Sequence, residues 1–169
     1  MKRFSLVLLG IALCFGGQSL FAEVGDSRKD KKEQQKQLVK DLLDKGSYII
    51  DVDKALPMNG RSMNLTSPYS LELRGDSVLS HLPYFGRAYS VPYGGGDGMR
   101  FDEIITDYTL SYDKKGTARI TFKAKTKEDN LSFNVQVFSN GTASIHITPV
   151  NRQSISYHGT LNTEKAKAD

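Results

Sequence analysis

The side chains best suited to contacting a ligand gather in one run, His81 to Gly98, which reads HLPYFGRAYSVPYGGGDG. It holds four aromatic side chains, two prolines, one arginine and five glycines, with no hydrophobic period. Pro83 and Pro92 cannot donate to a strand ladder, and the glycines allow backbone angles that other residues avoid. Tyr84, Phe85, Tyr89 and Tyr93 therefore have no strand to hold them in alternation. Left in water, they would form an exposed apolar patch of the kind that marks binding sites. Folded inward, they would plug the mouth or side of a barrel. The expectation is a division between the two. Phe85 packs, while Tyr84, Tyr89 and Tyr93 line a rim with their hydroxyls toward water, as suits tyrosine's two-sided character. Arg87 then either neutralises an internal carboxylate or faces an anionic or sugar-like ligand. The ligand-binding candidates are thus Tyr84, Arg87, Tyr89 and Tyr93.

Other chemistries find less support. The run GGGDG lacks the Gly-Lys-Ser/Thr ending of a phosphate loop, and MRFDEIITDYTLSY after it reads as strand where such a loop needs a helix. His81, His146 and His158 show no close metal spacing, and His146 falls on the wet face of its strand. Asp51 and Asp53 point to one face, but no further calcium ligands stand at loop spacing. No Gly-x-Ser-x-Gly elbow occurs. The RGDS at Arg74 to Ser77 is better explained as a hairpin turn than as an adhesion tripeptide. The expectation is a protein without catalytic residues, metal or cofactor.

The first residues set the compartment. Lys2 and Arg3, then the apolar stretch Phe4 to Phe15, then GGQSLFA read as a secretory signal cleaved after Ala22. The apolar run is too short for a membrane span, which needs ~20 residues. Cys14 raises a lipoprotein alternative, but Leu13 stands where a lipobox needs a small residue, so a periplasmic or secreted form is expected. Removing residues 1–22 lowers the net charge from +4 to +2 and leaves no cysteine. A near-neutral chain offers no general attraction for nucleic acid, and disulfides and thiol chemistry are excluded. Stability must come from a core.

The elements that would hold the candidate run are a helix and a meander. Residues 23–46 read as one helix, with Ser27 and Asp30 resembling a capping box and Gly46 as its stop. Leu38, Val39, Leu42 and Leu43 form its apolar stripe. Its lysines interleave with Asp30, Glu33, Asp41 and Asp44, which describes a solvated face. From Ser47 the period becomes two: Tyr48, Ile50, Val52; Tyr69, Leu71, Leu73; Tyr108, Leu110, Tyr112; Ala118 to Ala124; Leu131 to Val137; Ala143 to Ile147. One buried and one wet face mark an antiparallel sheet.

Turn lengths can be tested against that alternation, because a one-residue slip moves every side chain to the wrong face. A three-residue loop, Ser139 to Gly141, pairs Val135 with Ile145 and Phe133 with Ile147, and puts Gly141 at the left-handed position. The loop Lys114 to Gly116 pairs Leu110 with Ile120 and Tyr108 with Phe122. Gly75-Asp76 is a two-residue loop pairing Leu73 with Val78. The fold expected over residues 47–161 is mainly β: a curled antiparallel meander or small β-barrel with one N-terminal α-helix, closing or strongly curling to remove its edges. Residues 162–169 are expected to form a disordered polar tail.

The stretch from Tyr48 to Leu161 carries LPYFGRAY, the Gly75-Asp76 turn and RQSISYHG, and it resembles the secreted domain-of-unknown-function 4251 family of Bacteroidetes-type bacteria. That resemblance implies a lipocalin-like barrel topology and an envelope or extracellular location, and brings no catalytic residues. The function expected is a secreted or periplasmic non-enzymatic barrel that binds a small ligand or an envelope component. The alternatives are a structural or interaction module with no small-molecule site, and an envelope hydrolase. An open cavity, a filled barrel and a converged acid–base pair would mark the three respectively.

Overall fold

The computed structural model describes residues 23–89 and 98–164. The expected signal segment, Cys14, Tyr93 and residues 165–169 lie outside them. The chain opens with α1 (Glu23–Asp44) and continues through β1 (Ser47–Pro57), β2 (Met63–Arg74), β3 (Ser77–Leu82) and β4 (Met99–Tyr112). Four more strands follow: β5 (Ala118–Lys125), β6 (Asn130–Val137), β7 (Thr142–Pro149) and β8 (Ile155–Leu161). Each strand pairs antiparallel with the next, and β8 returns to pair with β1, so the sheet closes into an eight-stranded barrel. Closure satisfies the two outer edges that an open meander would leave unpaired.

The registers follow from the alternation. Val135 stands opposite Ile145, Leu110 opposite Ile120 and Leu73 opposite Val78. Gly141 has φ +88°, and its N–H donates to the Phe138 carbonyl at 2.8 Å. The expected pairing of Tyr108 with Phe122 does not form as a simple pair. A β-bulge falls between Thr106 and Thr109, and Asp107 takes a positive φ of 56°. The bulge switches the inward-facing residues of β4 from odd positions, such as Met99 and Ile105, to even ones, such as Leu110.

Inward residues of all eight strands fill the barrel. Ile50, Leu71, Val78, Ile105, Ile120, Val135, Ile145 and Tyr157 are buried in one continuous core. An eight-stranded barrel is just wide enough for its own side chains to fill. At the lower mouth, Val39, Leu42 and Leu43 of α1 are buried against that core. Tyr112 sits below it, 37 % exposed, with its hydroxyl donating to Asp44 Oδ1 at 2.6 Å. The helix starts earlier than a capping box at Ser27 implies: it runs from Glu23, which places Ser27 inside it. Extending a helix already anchored by its second half costs far less than nucleating one, so the polar residues join it. Beyond β8, Asn162 is tied to β1, donating from its backbone to the Ile49 carbonyl and from its amide to Asp51 Oδ2.

Candidate functional site

The upper mouth is covered by residues 83–89, the described part of the run singled out above. After β3 ends at Leu82, Pro83 leaves the ladder and its carbonyl accepts a 2.6 Å bond from the buried Tyr157 hydroxyl. The chain then lies antiparallel along Asn151 to Gln153. Gln153 donates from its backbone to the Arg87 carbonyl at 3.0 Å, Tyr89 donates to the Asn151 carbonyl at 2.8 Å, and Ala88 bridges Arg152. This clasp is a short extra ladder that holds residues 83–89 over the barrel.

Tyr84 and Phe85 pack against the core as parts of the cap. The Tyr84 hydroxyl is not turned to water as expected. It reaches the Gln153 carbonyl at 2.9 Å and the Arg87 carbonyl at 3.1 Å, and burial raises its pKa. Gly86 makes room for it, since a Cβ there would crowd that hydroxyl. Tyr89 behaves differently and is 71 % exposed. Arg87 is exposed too, and its guanidinium has no carboxylate partner among the described residues. It therefore does not neutralise an internal carboxylate of the described structure.

Beneath the clasp lies an ion pair that no local pattern in the sequence marks. Arg152, 10 % exposed, donates to the Gly98 carbonyl at 2.8 Å and to Glu128, and its guanidinium lies over the Tyr84 ring at 5.6 Å. Asp129 is 1 % exposed at its side chain and accepts from the backbone of Asn130, Val150 and Asn151. A carboxylate so bonded organises the β5–β6 turn and the β7–β8 loop together. Arg152 does fall within RQSISYHG, one of the segments that carried the family resemblance.

Two clefts flank the capped end. One, of about 460 Å3, lies between the β1–β2 turn and the cap, and is lined by Arg61, Met63, Phe85, Arg87 and Gln153. The other, of about 270 Å3, lies between the start of β4 and the β5–β6 turn, and is lined by Phe101, Glu103, Glu128, Leu131 and Arg152. Other singled-out residues do not converge. His146 bonds Ser156 on the outer face, His81 meets Arg100, and Asp51 is engaged by Asn162. No group of three or more His, Cys, Asp or Glu suited to a metal occurs among the described residues.

A family model described as a domain of unknown function, DUF4251, matches residues 30–161, from the middle of α1 to the last residue of β8. The chain belongs to the DUF4251 family. The crystal structure of a DUF4251 family protein from Bacteroides eggerthii is similar to it, with a TM-score of 0.59 and 16 % identity. The match covers 75 % of this chain and 86 % of that one, and at that identity it speaks for the barrel fold alone. No curated protein matches the chain. No helix of the described residues is long and apolar enough to cross a membrane.

Proposed function

We propose that this DUF4251 chain is a non-enzymatic, secreted or periplasmic binding module that recognises an anionic small ligand at the cleft beside its cap. The observation that carries this reading is the pair Arg61 and Arg87: both line one cleft, and neither has an acidic partner among the described residues. Phe85 adds an apolar surface and Gln153 a neutral amide. A cleft of about 460 Å3 falls within the usual range for small-molecule sites. Guanidinium groups stay protonated and amides do not titrate, so this lining suits holding a carboxylate or phosphate rather than moving its protons. Tyr89, exposed on the same cap, is available to border a larger ligand. The export part of the reading rests on the signal-like residues 1–22.

Calorimetric titration of the full chain tests it, with galacturonate, glucose 6-phosphate, inorganic phosphate and neutral glucose as probes. The expected result is binding of an anionic probe and none of glucose, weakened about tenfold or more by Arg87→Ala or Arg61→Ala. Equal behaviour of charged and neutral probes, or indifference to both substitutions, would overturn it. The filled interior of the barrel favours a second reading, a structural or interaction module with no small-molecule site. Failure of every probe would support that one.

A further inference from the structure

We propose that the slot beside the first half of β4 accepts an extended peptide as an added strand, carrying an apolar side chain and a basic side chain two residues apart. The slot is separate from the arginine-lined cleft. β4 pairs with β3 over Met99 to Ile104, whereas its ladder with β5 starts only at Ile105, opposite Ala124. β5 ends at Lys125 and the chain turns away through Thr126 to Asp129. The barrel is closed, yet β4 and β5 part at the upper end.

Ladder alternation says which backbone groups this leaves free. Ile105 donates to the Asp76 carbonyl, so the odd residues of this half bond toward β3. The N–H and C=O groups of Arg100 and Asp102 then point to the open side. They have no backbone partner among the described residues. Such a row, repeating every second residue, is matched by the backbone of another extended chain, as in strand addition at a sheet edge.

The side chains at the slot choose among peptides. Phe101 is half-buried, edge-on to Phe133 at 6.3 Å, and Leu131 is buried beside it. Two residues on, Glu103 is half-buried and lines the same slot with no cationic partner among the described residues. Side chains of one strand face alternate sides, so a peptide residue over Phe101 and one beside Glu103 are two apart. In the antiparallel sense of this barrel the basic residue comes first. An apolar group gains cover at Phe101 and Leu131, and a lysine or arginine gains the unpaired carboxylate of Glu103.

Fluorescence anisotropy on the full chain tests the inference, using a labelled nine-residue alternating peptide of threonines with a lysine two residues before a valine. The expected result is saturable binding, weakened about tenfold or more when the peptide amides facing β4 are N-methylated. Glu103→Gln should weaken the lysine peptide about tenfold, and leave a peptide with glutamine in that place unchanged. Asp102→Pro removes a donor that points away from β3, so it should abolish binding while the circular dichroism spectrum is kept. If that variant does not fold, the N-methylated peptide on the unaltered protein decides alone. Arg87→Ala should have no effect, which keeps this result distinct from that of the anion cleft. Absence of binding at millimolar peptide, or binding indifferent to N-methylation, would overturn the proposal.

Discussion

Asp129 holds Arg152 at 3.7 Å from carboxylate to Nε while its oxygens also accept three backbone N–H groups, from Asn130, Val150 and Asn151. Both side chains are at least nine-tenths buried. Removing the Asp129 carboxylate orphans those three N–H groups and leaves Arg152 with Glu128 as its one carboxylate, which costs more than the weak pair itself contributes. Asp129→Ala should therefore lose about 3–5 kcal/mol of unfolding free energy. Urea denaturation of the full chain would measure it, and a loss below about 1 kcal/mol would mean that the upper loops are held by other contacts.

The cap residues should separate by role. Tyr89→Ala, at an exposed position, should change stability by less than about 0.5 kcal/mol. Tyr84→Phe removes the hydroxyl that meets the Gln153 carbonyl and should cost about 1 kcal/mol. Phe85→Ala, from a half-buried site, should cost about 2–3 kcal/mol, below the range for a fully buried phenylalanine. Thermal denaturation of the three variants checks the order. Equal losses at all three would make the whole run core.

Two glycines should resist substitution for different reasons. Gly141 sits at φ +88°, where a Cβ would meet only ordinary contact with Gln35 and Val39, so Gly141→Val should cost about 1–2 kcal/mol chiefly through backbone strain. Gly159 has an ordinary φ, but a Cβ there would collide with the Asp51 carbonyl oxygen across the β1–β8 seam. Gly159→Ala should cost at least as much, about 2–3 kcal/mol, because a backbone atom cannot swing aside. Denaturant midpoints of the two variants test this, and a neutral Gly159→Ala would show that the seam can open.

Stability should fall at high pH. Burial pushes the Tyr157 phenol well up, helped by Tyr84, and burial, then Tyr108, pushes up Tyr48. A raised folded-state pKa means the unfolded chain loses its proton first, near the ordinary value of about 10. The stabilisation is full below that pH and is lost as pH rises through the folded pKa values. Unfolding free energy measured from pH 8 to about 11.5 should fall steadily above about 10. Tyr157→Phe should flatten part of that fall. A profile level to the highest pH would sink this prediction.

The strand registers were legible because the information that sets them is local. Ile120, Phe122, Val135 and Ile145 alternate with polar neighbours, and the alternation admits only one loop length at each turn. Gly141 and Gly75 mark the positions that need positive φ, and both adopt it. The apolar stripe of α1 was visible in the same way, whereas the capping box read at Ser27 is not where the helix starts, since helix extension depends on what anchors the rest.

The candidate site was legible only as a place. Prolines, glycines and aromatics without a period set residues 83–89 apart as neither strand nor helix, and they do lie together on one end of the barrel. Their roles came from partners far along the chain. Gln153 takes the Tyr84 hydroxyl, Asn151 takes the Tyr89 amide, and Arg152 with Asp129 forms the knot beneath them. The splayed edge at Arg100 and Asp102 likewise exists only because β5 stops at Lys125 while β4 began six residues before their first pair. Periodicity and turn chemistry act between neighbours, and so the sequence by itself determined most of the strands, the antiparallel order and the registers of three hairpins outside the β4 bulge. Closure of β8 on β1, the sealing of both mouths and the two clefts depend on contacts between residues from a few tens to more than a hundred positions apart. Those contacts carry no local signature, and only the tertiary structure could decide them.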